Sequence, residues 1–331
     1  MAQKEPPLRW GIVGLGGIVV DSIAPAIIDS SHSRLTACAG SSVEKARAFA
    51  ERFGVKNVCH SHEDLAAHPE VDAVYVATPN ALHHAAVLAA AHANKHVLCE
   101  KPFALSPAHG RDMIEACGRA GVVLRIAHQI RLETIIQRVR EVVLSGALGD
   151  LRSITFERIA PVHQPGGWRK DPRQGGVLFD VAVHLLDLVV WISGMRFSEV
   201  SAFSHPDRRD HLPDDTIAIL GRLGDRCNVV IRASREIPYA RNDLTIEGTK
   251  GMLATSALRW EDEYVLQITD ASGVTDQRFA AVRTYQKEIE AFAGEVRGER
   301  SVLPAGEDGL YLITLVESII DSINSRRAIA L

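Results

Sequence analysis

Short apolar runs of strand length alternate with amphipathic runs of helix length over residues 1–126, and no other feature restricts the fold of this chain as strongly. Leu8–Val13, Leu35–Ala39, Val71–Ala77, His96–Cys99 and Val122–Ile126 are the strand-like runs. Between them Glu44–Phe53, Leu82–Ala93 and Ala108–Ala120 place apolar residues three and four apart, the period of a half-buried helix. Strands joined by helices of this length run parallel, with helices on both faces of the sheet. A doubly wound, Rossmann-type α/β domain is therefore expected over 1–126.

Beyond Ile126 the texture changes. A helix over about Leu132–Ser145 ends at Gly146, where a left-handed C′ residue is wanted. Leu151–Ile159, Val200–Ser204, Thr216–Leu223, Cys227–Ser234, Leu244–Gly248, Gly251–Thr255 and Tyr264–Thr269 then read as strands, with one strong helix among them at Gly176–Ile192. This pattern predicts an α+β domain over 127–331 with a large, mostly antiparallel sheet. A last helix over about 308–325 is expected to pack back across the domains. The length of 331 residues accommodates two domains.

Composition removes several function classes. Apolar residues at 46% and charged residues at 24% are those of a globular protein. Lysines and arginines number 37 against 41 acids, a balance of −4 that argues against a nucleic-acid partner. No apolar run approaches the ~18–20 residues of a membrane span, and MAQKEPPLRW lacks the apolar centre of a secretory signal. The five cysteines are scattered and form no C-x-x-C, so a reducing cytoplasm is expected and a disulfide framework is not. His60 with His62, and His83 with His84, have no acid or thiol cluster beside them, so no metal is expected.

Gly14-Leu15-Gly16-Gly17-Ile18 follows the first strand directly. Gly14 and Gly16 fill the first two positions of G-x-G-x-x-G: one permits a tight turn, the other lets the backbone approach a pyrophosphate at a helix N-terminus. Val19 stands at the third position, where a small residue is usual. Such a turn also occurs as a plain strand–helix link, but its place after strand one of an alternating half selects dinucleotide binding. NAD sites carry an acid at the end of the second strand; here Gly40 is followed by Ser41, Ser42 and Lys45. Hydroxyls and a lysine suit the roughly −1.5 to −2 charge of a 2′-phosphate, which predicts NADP with NAD left open. The plainer alternative has a serine capping the next helix and Lys45 in water.

Glu100-Lys101-Pro102 follows the fifth strand. Open parallel sheets bind ligands beyond the carboxyl ends of their strands, so Lys101 falls where a nicotinamide ring would lie. Further on, Asp180, His184 and Asp187 stand four and three residues apart, one face of a helix if the segment is helical. Polar groups in so apolar a helix cost free energy unless paired or used. A free amine titrates near ~10.4 and an imidazole near ~6.5. That makes His184 the natural proton exchanger, and a cationic Lys101 the group that stabilises charge developing on oxygen. Taken singly, each has a plainer explanation as a solvated lysine or a hydrogen-bonded core histidine.

The glycine turn, Ala77-Thr78-Pro79-Asn80 with His83, Lys95–Pro102 and Gly175–Asp187 together resemble the Gfo/Idh/MocA oxidoreductases, relatives of glucose–fructose oxidoreductase and inositol 2-dehydrogenase. The resemblance covers nearly the whole chain. It implies a Rossmann domain before an open-faced α/β domain, and hydride transfer on sugars, polyols or related hydroxy compounds. Lys101 and His184 would be catalytic with Asp180 as their partner, and Thr78, Pro79, Asn80, His83 and Glu100 would surround the cofactor. A cis peptide before Pro102, and a homodimer or homotetramer formed through the second sheet, are further implications. His128, Arg131, Trp168 and Arg169 match the branch that acts on anhydro-sugars and are expected to bind substrate. Ala182 replaces the glycine usual between Asp180 and His184. Two alternatives stay open: an NAD-dependent glycoside hydrolase on the same fold, and a non-catalytic cofactor-binding regulator. Retention of Lys101, Asp180 and His184 speaks against the second.

Overall fold

The computed structural model describes residues 6–161, 166–256 and 262–331, so the first half of MAQKEPPLRW, the decapeptide in which no secretory signal is expected, lies outside the described residues. The chain divides into two compact units, Met1–Gln129 with Arg283–Ile313, and Ile130–Val282 with Thr314–Leu331. Up to Gln129 the elements are β1 (Leu8–Val13), α1 (Ala24–Asp29), β2 (Ser33–Ala39), α2 (Val43–Phe53), β3 (Asn57–Cys59), α3 (His62–Ala67), β4 (Ala73–Val76), α4 (His83–His92), β5 (His96–Glu100), α5 (Pro107–Ala120) and β6 (Leu124–Ala127). There follow α6 (Thr134–Leu144), β7 (Leu151–Ile159), α7 (Val183–Ser193), β8 (Phe197–His205), β9 (Thr216–Leu223), β10 (Cys227–Ser234), β11 (Arg241–Gly248), β12 (Gly251–Thr255), β13 (Glu263–Asp270) and β14 (Gly273–Ala280). The chain closes with α8 (Thr284–Val296), α9 (Gly306–Ser325) and β15 (Ile329–Ala330).

In the first unit six parallel strands lie in the order β3-β2-β1-β4-β5-β6, the doubly wound arrangement expected from the alternation. The central strand β1 is buried along both faces, which is why it reads as a nearly unbroken apolar run rather than an alternating one. Its Trp10 is wholly buried, donates its indole N–H to Ser33 Oγ at 3.1 Å, and packs on Phe292 of α8 with ring centroids 5.1 Å apart. Arg125 on β6 pairs with Glu295 of α8, and the Ile126 N–H reaches Pro304 O at 3.0 Å. A segment from the far end of the sequence thus completes this core. No helix among the described residues is long and apolar enough to cross a membrane.

The second unit is built on a nine-stranded sheet ordered β14-β13-β12-β11-β7-β10-β9-β8-β15. β7 and β10 run parallel, and the other neighbours are antiparallel, as the mostly antiparallel expectation has it. β9 and β10 alternate over Ile217–Leu223 and Cys227–Ala233, with Ile217, Ile219, Val229 and Ile231 buried. The opposite parity leaves Leu220 57% and Val230 43% exposed on the other face.

Candidate active site

The residues expected at the cofactor belong to the first unit. After β1 the chain turns at Gly14, whose φ is +89°, and whose N–H reaches Ala39 O at 2.9 Å. A Cβ there would lie 2.4 Å from Ala77 O, so no other residue fits without moving the β4 end. Gly16 is the opposite case. It is exposed, and a Cβ on it would meet nothing within 4 Å, which leaves free space over the first turn of a helix whose early N–H groups point outward. This is the cradle a pyrophosphate needs, so the residues present fit a dinucleotide. Leu15 is buried beneath the turn, whereas Gly17 and Ile18 are exposed. Val19, wholly buried, begins a widened π-helical turn, Val19–Ile23, in which Ala24 N–H returns to Val19 O. Pro25 follows within the first residues of α1; it has no N–H to offer, and a widened turn just before it removes the usual clash.

At the end of β2 Ser42 does cap α2, its Oγ accepting the Lys45 N–H at 3.3 Å. Ser41, Lys45 and Arg47 are exposed. After β4, Thr78 is partly buried, Pro79 is exposed and Asn80 is buried. His83 has no exposed surface: its Nδ1 lies 2.9 Å from Pro102 O and its Nε2 3.1 Å from Thr78 O. Burial pushes its pKa down, with these carbonyls opposing. His83 therefore ties the loop carrying Asn80 to the loop carrying Lys101. Lys101 follows β5, is partly exposed, and precedes a cis peptide at Pro102 as the resemblance implied. Its N–H donates to Glu100 Oε2 at 3.2 Å, while the Tyr75 hydroxyl donates to Glu100 Oε1 at 2.9 Å. His128 is buried at the end of β6.

The second unit carries Asp180 and His184. Asp180 lies in a second π-helical turn, Leu178–Ala182, which leads directly into α7 with His184. The wider turn alters the helical phase, so simple four-residue spacing does not describe how the two side chains relate. The start of this turn is held by Asp214: its Oδ2 accepts the Leu178 N–H at 2.9 Å, its backbone O accepts the Val177 N–H at 2.7 Å, and Arg208 pairs with its carboxylate. Gly176, with φ +90°, lets that aspartate approach, since a Cβ would overlap Asp214 Oδ1.

Asp180 accepts from two guanidiniums, Arg169 Nε at 3.1 Å and Arg235. Arg169 also stacks over Trp168 at 4.6 Å from the ring centroid, which brings three of the expected residues together. Arg235 was not anticipated, though a signal exists: it continues the inward parity of Cys227, Val229, Ile231 and Ala233 just past the end of β10. A charge at an inward position is costly unless it is paired. His184 is buried on α7. Arg131 and Asp187 are engaged with each other: Arg131 Nε donates to Asp187 Oδ2 at 2.8 Å, both are almost wholly buried, and the guanidinium lies over the Trp191 ring.

Comparison with known proteins agrees with this architecture. The description of an oxidoreductase family with an NAD-binding Rossmann fold (GFO_IDH_MocA) matches residues 8–128, and that of the GFO/IDH/MocA C-terminal domain matches residues 136–254. A 1,5-anhydro-D-fructose reductase of Ensifer adhaerens is 28% identical over 313 residues, covering 92% of each chain. A trans-1,2-dihydrobenzene-1,2-diol dehydrogenase of Bos taurus is 30% identical over 250 residues, 74% of this chain and 73% of its own. Among solved structures, an aldose-aldose oxidoreductase of Caulobacter crescentus, complexed with glycerol, superposes with a TM-score of 0.88 at 25% identity, over 98% of this chain and 100% of the other. The chain belongs to the GFO/IDH/MocA family of oxidoreductases, with the NAD(P)-binding Rossmann fold of that family over residues 8–128.

Proposed function

We propose that this enzyme transfers a hydride between NADP(H) and a carbonyl or hydroxyl carbon of a sugar, polyol or anhydro-sugar. The observation that carries the reading is Lys101, placed beyond the carboxyl end of β5 with its backbone anchored on Glu100. A bound nicotinamide supplies or takes up the hydride. The ammonium of Lys101 then stabilises negative charge on the reacting oxygen, and His184 exchanges the proton with that oxygen. Asp180 orients Arg169 and Arg235, whose donors suit the hydroxyls of a polyol. Trp168 offers an apolar face to a sugar ring.

NADP is favoured because no acid stands at the β2 end, and because exposed Ser41, Lys45 and the N-terminus of α2 can receive a phosphate. Aldoses, ketoses, polyols and anhydro-sugars should be offered with each cofactor, and the reduced nicotinamide followed by its absorbance. The expected result is turnover with one cofactor oxidised or reduced per product. The KM for NADPH should lie about tenfold or more below that for NADH, a difference of about 1.4 kcal/mol. A lower KM for NADH would overturn the NADP assignment. Release of an aglycone without net cofactor change would replace the oxidoreductase reading with elimination chemistry.

The five cysteines are buried free thiols, which suits the cytoplasm. Phe203, 73% exposed, with Leu220 and Val230 forms an apolar strip across β8, β9 and β10, suited to a second copy of the sheet. Leu220→Lys with Val230→Lys should convert a dimer or tetramer to monomer in sedimentation velocity. A wild-type chain that sediments as monomer would remove this proposal.

A further inference from the structure

Glu288 on α8 has no exposed surface, and neither carboxyl oxygen has a hydrogen-bond partner among the described residues. The groups acting on it are Glu100 and Tyr75, both acids. Tyr75 is wholly buried and gives its hydroxyl proton to Glu100 Oε1, while the other Glu100 oxygen receives the Lys101 N–H. Tyr285, one turn before Glu288, acts on Tyr75 as a further acidic group. With Glu288 and Tyr75 wholly buried beside the partly buried Glu100, the three acids cannot all ionise, because each added charge faces both desolvation and the charge already there. Burial first, and then the charge of Glu100, push the Glu288 carboxyl well above the usual carboxylate range.

We propose that Glu288 is a positioning residue that holds a proton at neutral pH, leaves Glu100 as the one carboxylate of the cluster, and so fixes the strand end that carries Lys101. The effect on catalysis rests on the role proposed for Lys101; the proton on Glu288 does not. The proton is therefore tested without any substrate, by unfolding the full chain across pH. An unfolded glutamate loses its proton near ~4.3, whereas the folded chain keeps it to higher pH. Between the two values the folded state binds one proton more, so stability falls as pH rises. Glu288→Gln has no such proton. The ratio of the unfolding constant of the wild type to that of Glu288→Gln should rise tenfold per pH unit between about pH 5 and 7, or about 1.4 kcal/mol per unit. A flat ratio would overturn the proposal.

The positioning role is tested by rescue. Glutamine keeps the neutral polar shape, and leucine does not. A purely structural role predicts leucine at least equal to glutamine, since an apolar isostere removes the burial penalty. The expected result is a kcat about tenfold lower for Glu288→Leu than for Glu288→Gln, with equal KM for the nucleotide, because small displacements of a reacting group cost this much or more. Equal turnover in the two variants would refute it. Should the leucine variant fail to fold, Tyr75→Phe cuts the same connection and should lower kcat about tenfold; unchanged kcat there counts equally against the proposal.

Discussion

Lys101→Ala is expected to lower kcat by about 10²–10³-fold, the usual consequence of removing one donor that stabilises a developing oxyanion. Nucleotide affinity should stay within about threefold, because cofactor binding draws on the Gly14–Gly16 turn and the α2 terminus. The backbone at this point is fixed independently of the ammonium, through the Lys101 N–H on Glu100 and the His83 ring between Pro102 O and Thr78 O. Alanine therefore removes the charge without releasing the loop. Lys101→Arg keeps the charge but spreads it over a planar fork, so recovery should be partial. Steady-state kinetics beside fluorescence titration of NADPH separates the two effects. Near-normal turnover in the alanine variant would show that Lys101 takes no part in the reaction.

Asp187→Ala carries the largest expected loss of stability, about 3–5 kcal/mol, because it strands the buried guanidinium of Arg131. For units of this size the fall in Tm should be roughly 6–20 °C. The partner variant Arg131→Met strands the carboxylate and should cost a similar amount. The double replacement Arg131→Met with Asp187→Leu should recover most of the loss, since a well-packed apolar pair requires no desolvation of charge. Differential scanning calorimetry of these proteins, with Asp187→Leu added as the matching single variant, completes the cycle. Arg131 also lies over Trp191 at 5.4 Å, and Arg140 contacts the same ring at 4.7 Å, so some loss in the Met variant is lost stacking. Additive losses in the double variant would show that the pair is not coupled.

Legibility varied with how each element is stabilised. Leu151–Ile159, Thr216–Leu223, Cys227–Ser234 and Gly251–Thr255 emerge at the boundaries expected from the sequence, because one face of each is buried and turn residues end each run. β14 escaped notice because it is an edge strand with both faces largely in water, and GVTDQRFA offers no apolar alternation. β3 is only three residues long. The π-helical turns at Val19–Ile23 and Leu178–Ala182 follow from packing and leave no letter code. In the site, Lys101 and Asp180 were legible as charges following strand and turn signals. Arg235 is masked as one more cation among the 37 lysines and arginines, although its parity marks it as inward. Glu288 could not be singled out, since nothing in α8 announces which buried neighbours its carboxyl meets.

The return of Arg283–Ile313 to the first unit has a consequence for synthesis of the chain. Trp10 is covered by Phe292, and Arg125 is neutralised by Glu295. At about 5–20 residues per second, α8 leaves the ribosome roughly 10–30 s after Gln129. Throughout that interval the nascent Rossmann sheet lacks one covering helix, and Trp10 lacks its Phe292 neighbour. The first unit therefore completes its core only after Ile130–Val282 of the second unit has been made, so the core of the first unit is not assembled from consecutive chain.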